Sequence, residues 1–161
     1  MRRGFDYLRR QQQADGSWIP LWFGNQDRPR EENPVYGTAK VLLAYAECGR
    51  DQGPDAARRG QEWLERAQAP DGSWGSIEET ALASEALAAL APPGSPPPSL
   101  VRALDWLCAS VETRRHLTAS PIGFYFARLW YYEKLYPLTF TVAALGRAQR
   151  LLAGSVKPTC P

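Results

Sequence analysis

Arg3-Gly4-Phe5-Asp6-Tyr7-Leu8, with Gln12 and then Asp15-Gly16-Ser17-Trp18, recurs 56 residues later as Arg59-Gly60-Gln61-Glu62-Trp63-Leu64, with Gln68 and then Asp71-Gly72-Ser73-Trp74. Arg-Gly, an aromatic-Leu pair, a Gln and Asp-Gly-Ser-Trp keep their spacing in both copies. A repeat of this length with helical signals is a unit of two helices, neither able to bury its apolar face until neighbours stack on it. Phe5, Tyr7 and Leu8 among Arg and Gln predict an amphipathic helix over residues 2–13, stopped by the turn dipeptide Asp15-Gly16. Residues 38–47, dense in Val, Leu, Ala and Tyr, predict a helix surrounded by protein and closed by Gly49. The second unit repeats the plan, with helices predicted over residues 56–68 and 78–90.

A third unit is degenerate. Arg102-Ala103-Leu104-Asp105-Trp106-Leu107 keeps the opening with Ala for Gly but lacks the later Gln and Gly-x-Trp, as terminal repeats commonly do. Five prolines between residues 91 and 99 make that stretch a connector. Residues 19–34, punctuated by Pro20, Gly24, Pro29 and Pro34, form a loop long enough to be functional or mobile. After Pro121 the aromatic run 123–136 is expected as a helix, and Pro137 is expected to start a last helix ending near Leu152. The fold expected is all-α: an α/α arc of helical hairpins, repeat-bearing helices outside and Ala/Leu-rich ones inside, equal to half of a six-pair toroid. Residues 1–153 form this one domain, and 154–161 are expected as a disordered tail.

The 161 residues suffice for one domain with a real core. Six Trp and seven Tyr argue against disorder of the whole chain, and a net charge of +2 from interspersed residues gives no footprint for nucleic acid. Cys48, Cys108 and Cys160 fall in no metal-ligand spacing and read as buried or unused thiols of a reducing compartment. No signal-peptide apolar region follows Met1-Arg2-Arg3, and no run approaches a membrane-spanning length. The location expected is cytoplasmic, with peripheral, monotopic attachment to the inner membrane face as the variant.

On these residues the sequence resembles the squalene-hopene and oxidosqualene cyclases, the class II triterpene cyclases. Their QW motif runs Lys/Arg-Gly, two residues, aromatic-Leu, three residues, Gln, then Gly-x-Trp, and residues 3–18 and 59–74 satisfy it throughout. Tyr136-Pro137-Leu138 and Ala144-Leu145-Gly146-Arg147 resemble the family's closing segment. The resemblance implies the C-terminal half of a catalytic toroid that turns squalene into a hopanoid-type triterpene, an isomerase needing no cofactor or metal. It also implies a proton donor from an Asp-x-Asp-Asp motif, and no such motif occurs in this chain. The catalytic acid is therefore assigned to no residue here, and the chain alone is expected not to cyclise squalene. Its expected partners are a linear isoprenoid, an N-terminal half or a second copy of itself, and a membrane surface.

Residue by residue, the resemblance makes Gln12, Gly16, Trp18, Gln68, Gly72 and Trp74 structural, tying outer helices together. Trp22, four residues after Trp18, falls on a family cavity Trp, and Tyr36 of Tyr36-Gly37-Thr38 on a Tyr near the acid. Tyr132 and Tyr125 fall on active-site aromatics, while Leu129 stands where hopene cyclases have another Tyr. The Trp22 to Tyr36 interval is eight residues longer than in those bacterial enzymes, which leaves the product open. Aromatic walls suit this chemistry because π faces stabilise the carbocations of polyene cyclisation. On spacing alone an aromatic at helical period is more often core, and a Trp in a Pro-rich loop such as Trp22 is as commonly a plain packing anchor. Glu78 and Glu79 are explained by the helix dipole, Glu31 and Glu32 by solvation, and His116 by an exposed loop. Two other classes fit the same residues: a non-catalytic α/α scaffold, and a toroid like the protein prenyltransferase β subunit. The latter needs a zinc set for which Asp105, Cys108 and His116 are unsuitably spaced.

Overall fold

The computed structural model describes residues 2–49, 51–124 and 129–154. Six helices carry the fold: α1 Arg2–Gln11, α2 Pro34–Cys48, α3 Pro54–Ala67, α4 Ile77–Leu90, α5 Pro98–Glu112 and α6 Leu135–Leu152. Their starts are written in the sequence. Pro34, Pro54 and Pro98 stand at first helical positions, where a missing N–H costs nothing. Asn33 caps α2 by accepting from Tyr36 N, and Ser76 with Glu79 forms a reciprocal capping box on α4. Pro137 lies in the first turn of α6, which begins two residues earlier than expected; the first four N–H groups of a helix have no partner there in any case.

The helices form two layers. Within the inner layer α4 packs against α2 on one side and α6 on the other, while α3 lies on α2 and α5 on α4. Twelve of the 14 residues of α4 are buried, which makes it the centre of the arc. α2 and α6 also meet each other across α4: Arg147 of α6 pairs with Glu47 of α2 at 2.7 Å and approaches Glu85 of α4 at 3.6 Å. The architecture is the α/α arrangement of paired inner and outer helices expected from the repeat.

One expectation is overturned. Residues 122–124 and 129–131 are strands, not part of an aromatic helix. β1 (Phe23–Gly24), β2 (Ile122–Phe124) and β3 (Leu129–Tyr131) form a small antiparallel sheet in that order, with Phe23 opposite Phe124 and Gly123 opposite Trp130. Ile, Phe, Leu, Trp and Tyr are strand formers, and the 19–34 loop supplies the edge they need. Residues 125–128, including Tyr125, and the tail 155–161 lie outside the described residues. Cys48 and Cys108 are exposed, not buried, and His116 is half-buried with Nδ1 3.3 Å from Ser110 O. Among the described residues no helix is long and apolar enough to cross a membrane, and no group of three or more His, Cys, Asp or Glu could hold a metal.

Candidate functional site

The repeated residues make the same bonds twice. Gln12 Nε2 donates to Gly16 O and to Ala56 O of the next outer helix, both at 2.9 Å; Gln68 Nε2 donates to Gly72 O at 2.9 Å and Ser99 O at 2.8 Å. Each Gln oxygen accepts from an arginine of that next helix, Arg59 and Arg102. The buried rings of Trp18 and Trp74 donate back to Leu8 O and Leu64 O at 2.7 and 2.8 Å, and their backbone N–H groups donate to Thr38 and Thr80 hydroxyls. Asp15 and Asp71 accept from Ser17 and Ser73 and, across the pair, from the indoles of Trp63 and Trp106. Gly16 and Gly72 take φ of +100° and +92°, and a Cβ there would stand 2.6 Å from Arg59 O and 2.7 Å from Arg102 O. Each hairpin is thereby tied to the next.

This stacking brings aromatic rings of α2, α6 and the β1 loop onto one surface. Phe23 and Tyr36 rings are 5.3 Å apart, and Tyr136 stacks on Phe140 at 5.3 Å. The two pairs are joined by Lys40, whose Nζ lies 5.7 Å from the Tyr36 ring centre and 5.1 Å from that of Phe140. Tyr36 titrates above its ordinary value of 10.0, because burial disfavours the phenolate and Tyr136 opposes a second charge. It stays a neutral phenol, unable to act as an anionic nucleophile.

The N-terminus of α4 holds the sheet and its loop in place. Glu79, 2% exposed, accepts from Arg28 Nη2 at 2.6 Å and from Ser76 N at 3.2 Å, with Asn25 Nδ2 at 3.4 Å; Arg28 also reaches Trp74 O. Glu78, 1% exposed, accepts from Ser120 N at 2.8 Å, just before β2. The helix-dipole explanation therefore covers only part of this pair: both carboxylates are buried anchors for segments distant in sequence. Glu31 and Glu32 are half-buried, and Glu32 pairs with Arg30 at 2.8 Å.

Of the residues expected in a cavity, Tyr36 lies in the aromatic surface. Trp22 is 55% exposed at the entry to β1, and Tyr132 is 58% exposed, its hydroxyl accepting from Gln26 at 3.1 Å. Tyr36 and Tyr132 line separate hollows.

Residues 1–150 match the squalene-hopene cyclase C-terminal domain family. The chain belongs to that family. Within the squalene-hopene cyclase family and its terpene-cyclase relatives, it is 40% identical over 72 residues to the "Probable squalene–hopene cyclase" of Sinorhizobium fredii, covering 45% of this chain and 10% of that protein. It is 35% identical over 85 residues to the labda-7,13-dienyl diphosphate synthase of Streptomyces clavuligerus, covering 50% of this chain and 14% of that one. The solved ent-copalyl diphosphate synthase from Streptomyces platensis superposes with a TM-score of 0.65 at 29% identity over 95% of this chain and 28% of its own. The chain thus spans only 10–14% of the curated relatives' length.

Sequence reasoning passed over Phe23, Lys40 and Phe140, and used Tyr136 only as a landmark. A signal was present for three of them: Tyr36 and Lys40, like Tyr136 and Phe140, are four apart and so share a helix face.

Proposed function

We propose that this chain supplies one aromatic wall of the cyclisation cavity of a class II terpene cyclase acting on a linear isoprenoid, either squalene or a prenyl diphosphate. The observation that carries this is the Lys40 ammonium seated over the Tyr36 and Phe140 rings. It is a positive charge held by π faces on the surface where two inner helices meet. A ring face stabilises a desolvated cation by about 2 kcal/mol, and cyclisation of a polyene moves a cation along just such a wall. Tyr36, kept neutral, offers that face without offering an anionic oxygen to trap the cation. Tyr132, Trp22 and Tyr125 are proposed as further wall or rim residues on the resemblance alone. The acid that starts the reaction is assigned outside these 161 residues, since no Asp-x-Asp-Asp occurs among them.

The relatives' names support both substrate types, one being a squalene–hopene cyclase and another a diphosphate synthase. The experiment is to express the polypeptide encoded by the natural transcript that carries this sequence and incubate it with squalene and with a C20 prenyl diphosphate. A cyclic product from either supports the proposal; linear substrate recovered from both, by a folded protein, refutes it and favours the scaffold alternative.

A further inference from the structure

Tyr36, Lys40 and Glu47 of α2 are spaced by four and then seven residues, and so are Tyr136, Phe140 and Arg147 of α6. Each set lies on one helix face. The two faces meet rung by rung: Tyr136 is near enough to Tyr36 to oppose a second charge, Lys40 Nζ is 5.1 Å from the Phe140 ring centre, and Arg147 Nη2 is 2.7 Å from Glu47 Oε1. The outer helices α3 and α5 pack on α2 and α4, so these rungs cross α4 on its opposite side, within the concave face of the arc. That face changes character along its length. The first two rungs carry the rings, and the half-buried Leu43 and Ala143 continue an apolar strip beyond them. The third rung is ionic: Arg147 Nε also stands 3.6 Å from Glu85 Oε1 of α4, and the Arg147 and Glu85 side chains are 28% and 17% exposed. Lys40 is exposed and can turn to water, whereas Arg147 is held by carboxylates from two other helices. At the rise of an α-helix the strip from Tyr36 to Glu47 is about 16 Å deep. A hydrocarbon chain that reached its end would have to separate or desolvate charges to which it returns no contact.

We propose that the ion group of Arg147, Glu47 and Glu85 is the floor of the cyclisation cavity and fixes the longest isoprenoid chain it accepts. The proposal rests on the aromatic-wall reading and adds chain length to it. The hydrocarbon lies over the rings at the end where α2 and α6 begin and stops at the charges. Arg147 is thus a specificity-determining residue: its guanidinium joins three inner helices and marks where the apolar strip ends.

The test compares kcat/KM of the natural-transcript polypeptide across linear C15, C20, C25 and C30 isoprenoids, each supplied as hydrocarbon and as diphosphate. The wild type is expected to show a cut-off, with kcat/KM falling roughly 10-fold or more from one length to the next, since the end of a pocket discriminates even one added methylene to that degree. Glu47→Ala, Glu85→Ala and Arg147→Ala made together remove all three charges, leave none unpaired, and should move the cut-off up by one isoprene unit or more while shorter chains are still cyclised. Met at the same three positions keeps the packing volume with side chains that yield to a hydrocarbon; it should move the cut-off in the same direction, and it carries the test if the Ala variant does not fold. Arg147→Lys keeps the central charge and should keep the cut-off. A cut-off unmoved in a folded triple variant overturns the proposal. So does an equal loss of kcat/KM at every length, which would make the group a clamp between helices and nothing more. A wild type that accepts all four lengths alike overturns it while the aromatic wall stands; no cyclic product from any of them, by a folded protein, overturns both.

Discussion

Replacing Gln68 by Ala removes a side chain that holds two carbonyls belonging to different hairpins. Its amide donates to Gly72 O at 2.9 Å and to Ser99 O at 2.8 Å, both partly buried. Each neutral hydrogen bond of this kind contributes about 0.5–1.5 kcal/mol net, and an unpaired partly buried carbonyl adds to the loss. The third contact, with the Arg102 guanidinium, is exposed and adds about 0–1 kcal/mol. The expected destabilisation is about 2–3 kcal/mol. In urea unfolding, with a slope of about 2 kcal/mol per molar, the midpoint should fall by about 1 M with the slope unchanged. Gln68→Glu separates donor chemistry from packing, because a carboxylate of nearly the same shape gains charge opposite Arg102 but has no N–H to offer. It should lose at least as much stability as Ala. A loss below about 0.5 kcal/mol in Gln68→Ala, or wild-type stability in Gln68→Glu, would refute the assignment of the cross-tie to those two donated bonds.

Gly72→Ala should cost about 1–2 kcal/mol for its positive φ and about 1–3 kcal/mol more for a Cβ 2.7 Å from Arg102 O, whereas Gly94→Ala, with nothing within 4 Å, should cost the φ part alone. Equal losses in calorimetric melting of the two variants would contradict the close approach of α5 to the turn. Asp71 is held below its ordinary value of 3.8 by the Ser73 backbone N–H, then the Ser73 hydroxyl and, more weakly, the Trp106 indole; at Asp15 burial pushes upward, but donors from Ser17 and Trp63 prevail and the net shift is again downward. Their stabilisation is therefore complete above 3.8 and is lost as pH falls through the lowered folded values, so Asp71→Asn should flatten the acid limb of a stability profile. An unchanged limb would remove Asp71 from the cross-tie. The exposed Tyr7, Leu21 and Trp22 near one edge of the arc, and Leu135 and Val142 on α6, predict concentration-dependent association in sedimentation velocity. A monomer at all concentrations would count against the open edge of a half toroid.

The hairpin repeat was legible because each of its residues makes one fixed bond. A Gln that must reach the next helix, a Gly that must tolerate positive φ and a Trp that must donate to the preceding helix leave the same letters at the same spacing. The sheet was not legible for the opposite reason. β1 is two residues long and its partner lies about a hundred residues away, so no local pattern marks either, and an aromatic run reads as well by helical as by strand periodicity. Glu79 showed its capping half in Ser76-x-x-Glu79, but its ion pair with Arg28, 51 residues distant, depends on how the loop folds over α4. Tyr36 emerged from the resemblance; the four-residue spacing put Lys40 on the face of Tyr36 and Phe140 on that of Tyr136, but nothing local marks that those two faces meet.

The most direct test of the aromatic wall is product analysis, in the natural-transcript polypeptide, of Tyr36→Phe, Tyr36→Ala and Phe140→Ala. Tyr36→Phe should keep turnover near wild type, because the ring face and not the hydroxyl is used, while Tyr36→Ala and Phe140→Ala should each lose about 10-fold in cyclised product or release less-cyclised ones, the effect of about 1.4 kcal/mol at the transition state. Wild-type rate and products from both alanine variants would contradict a role for this surface in the reaction.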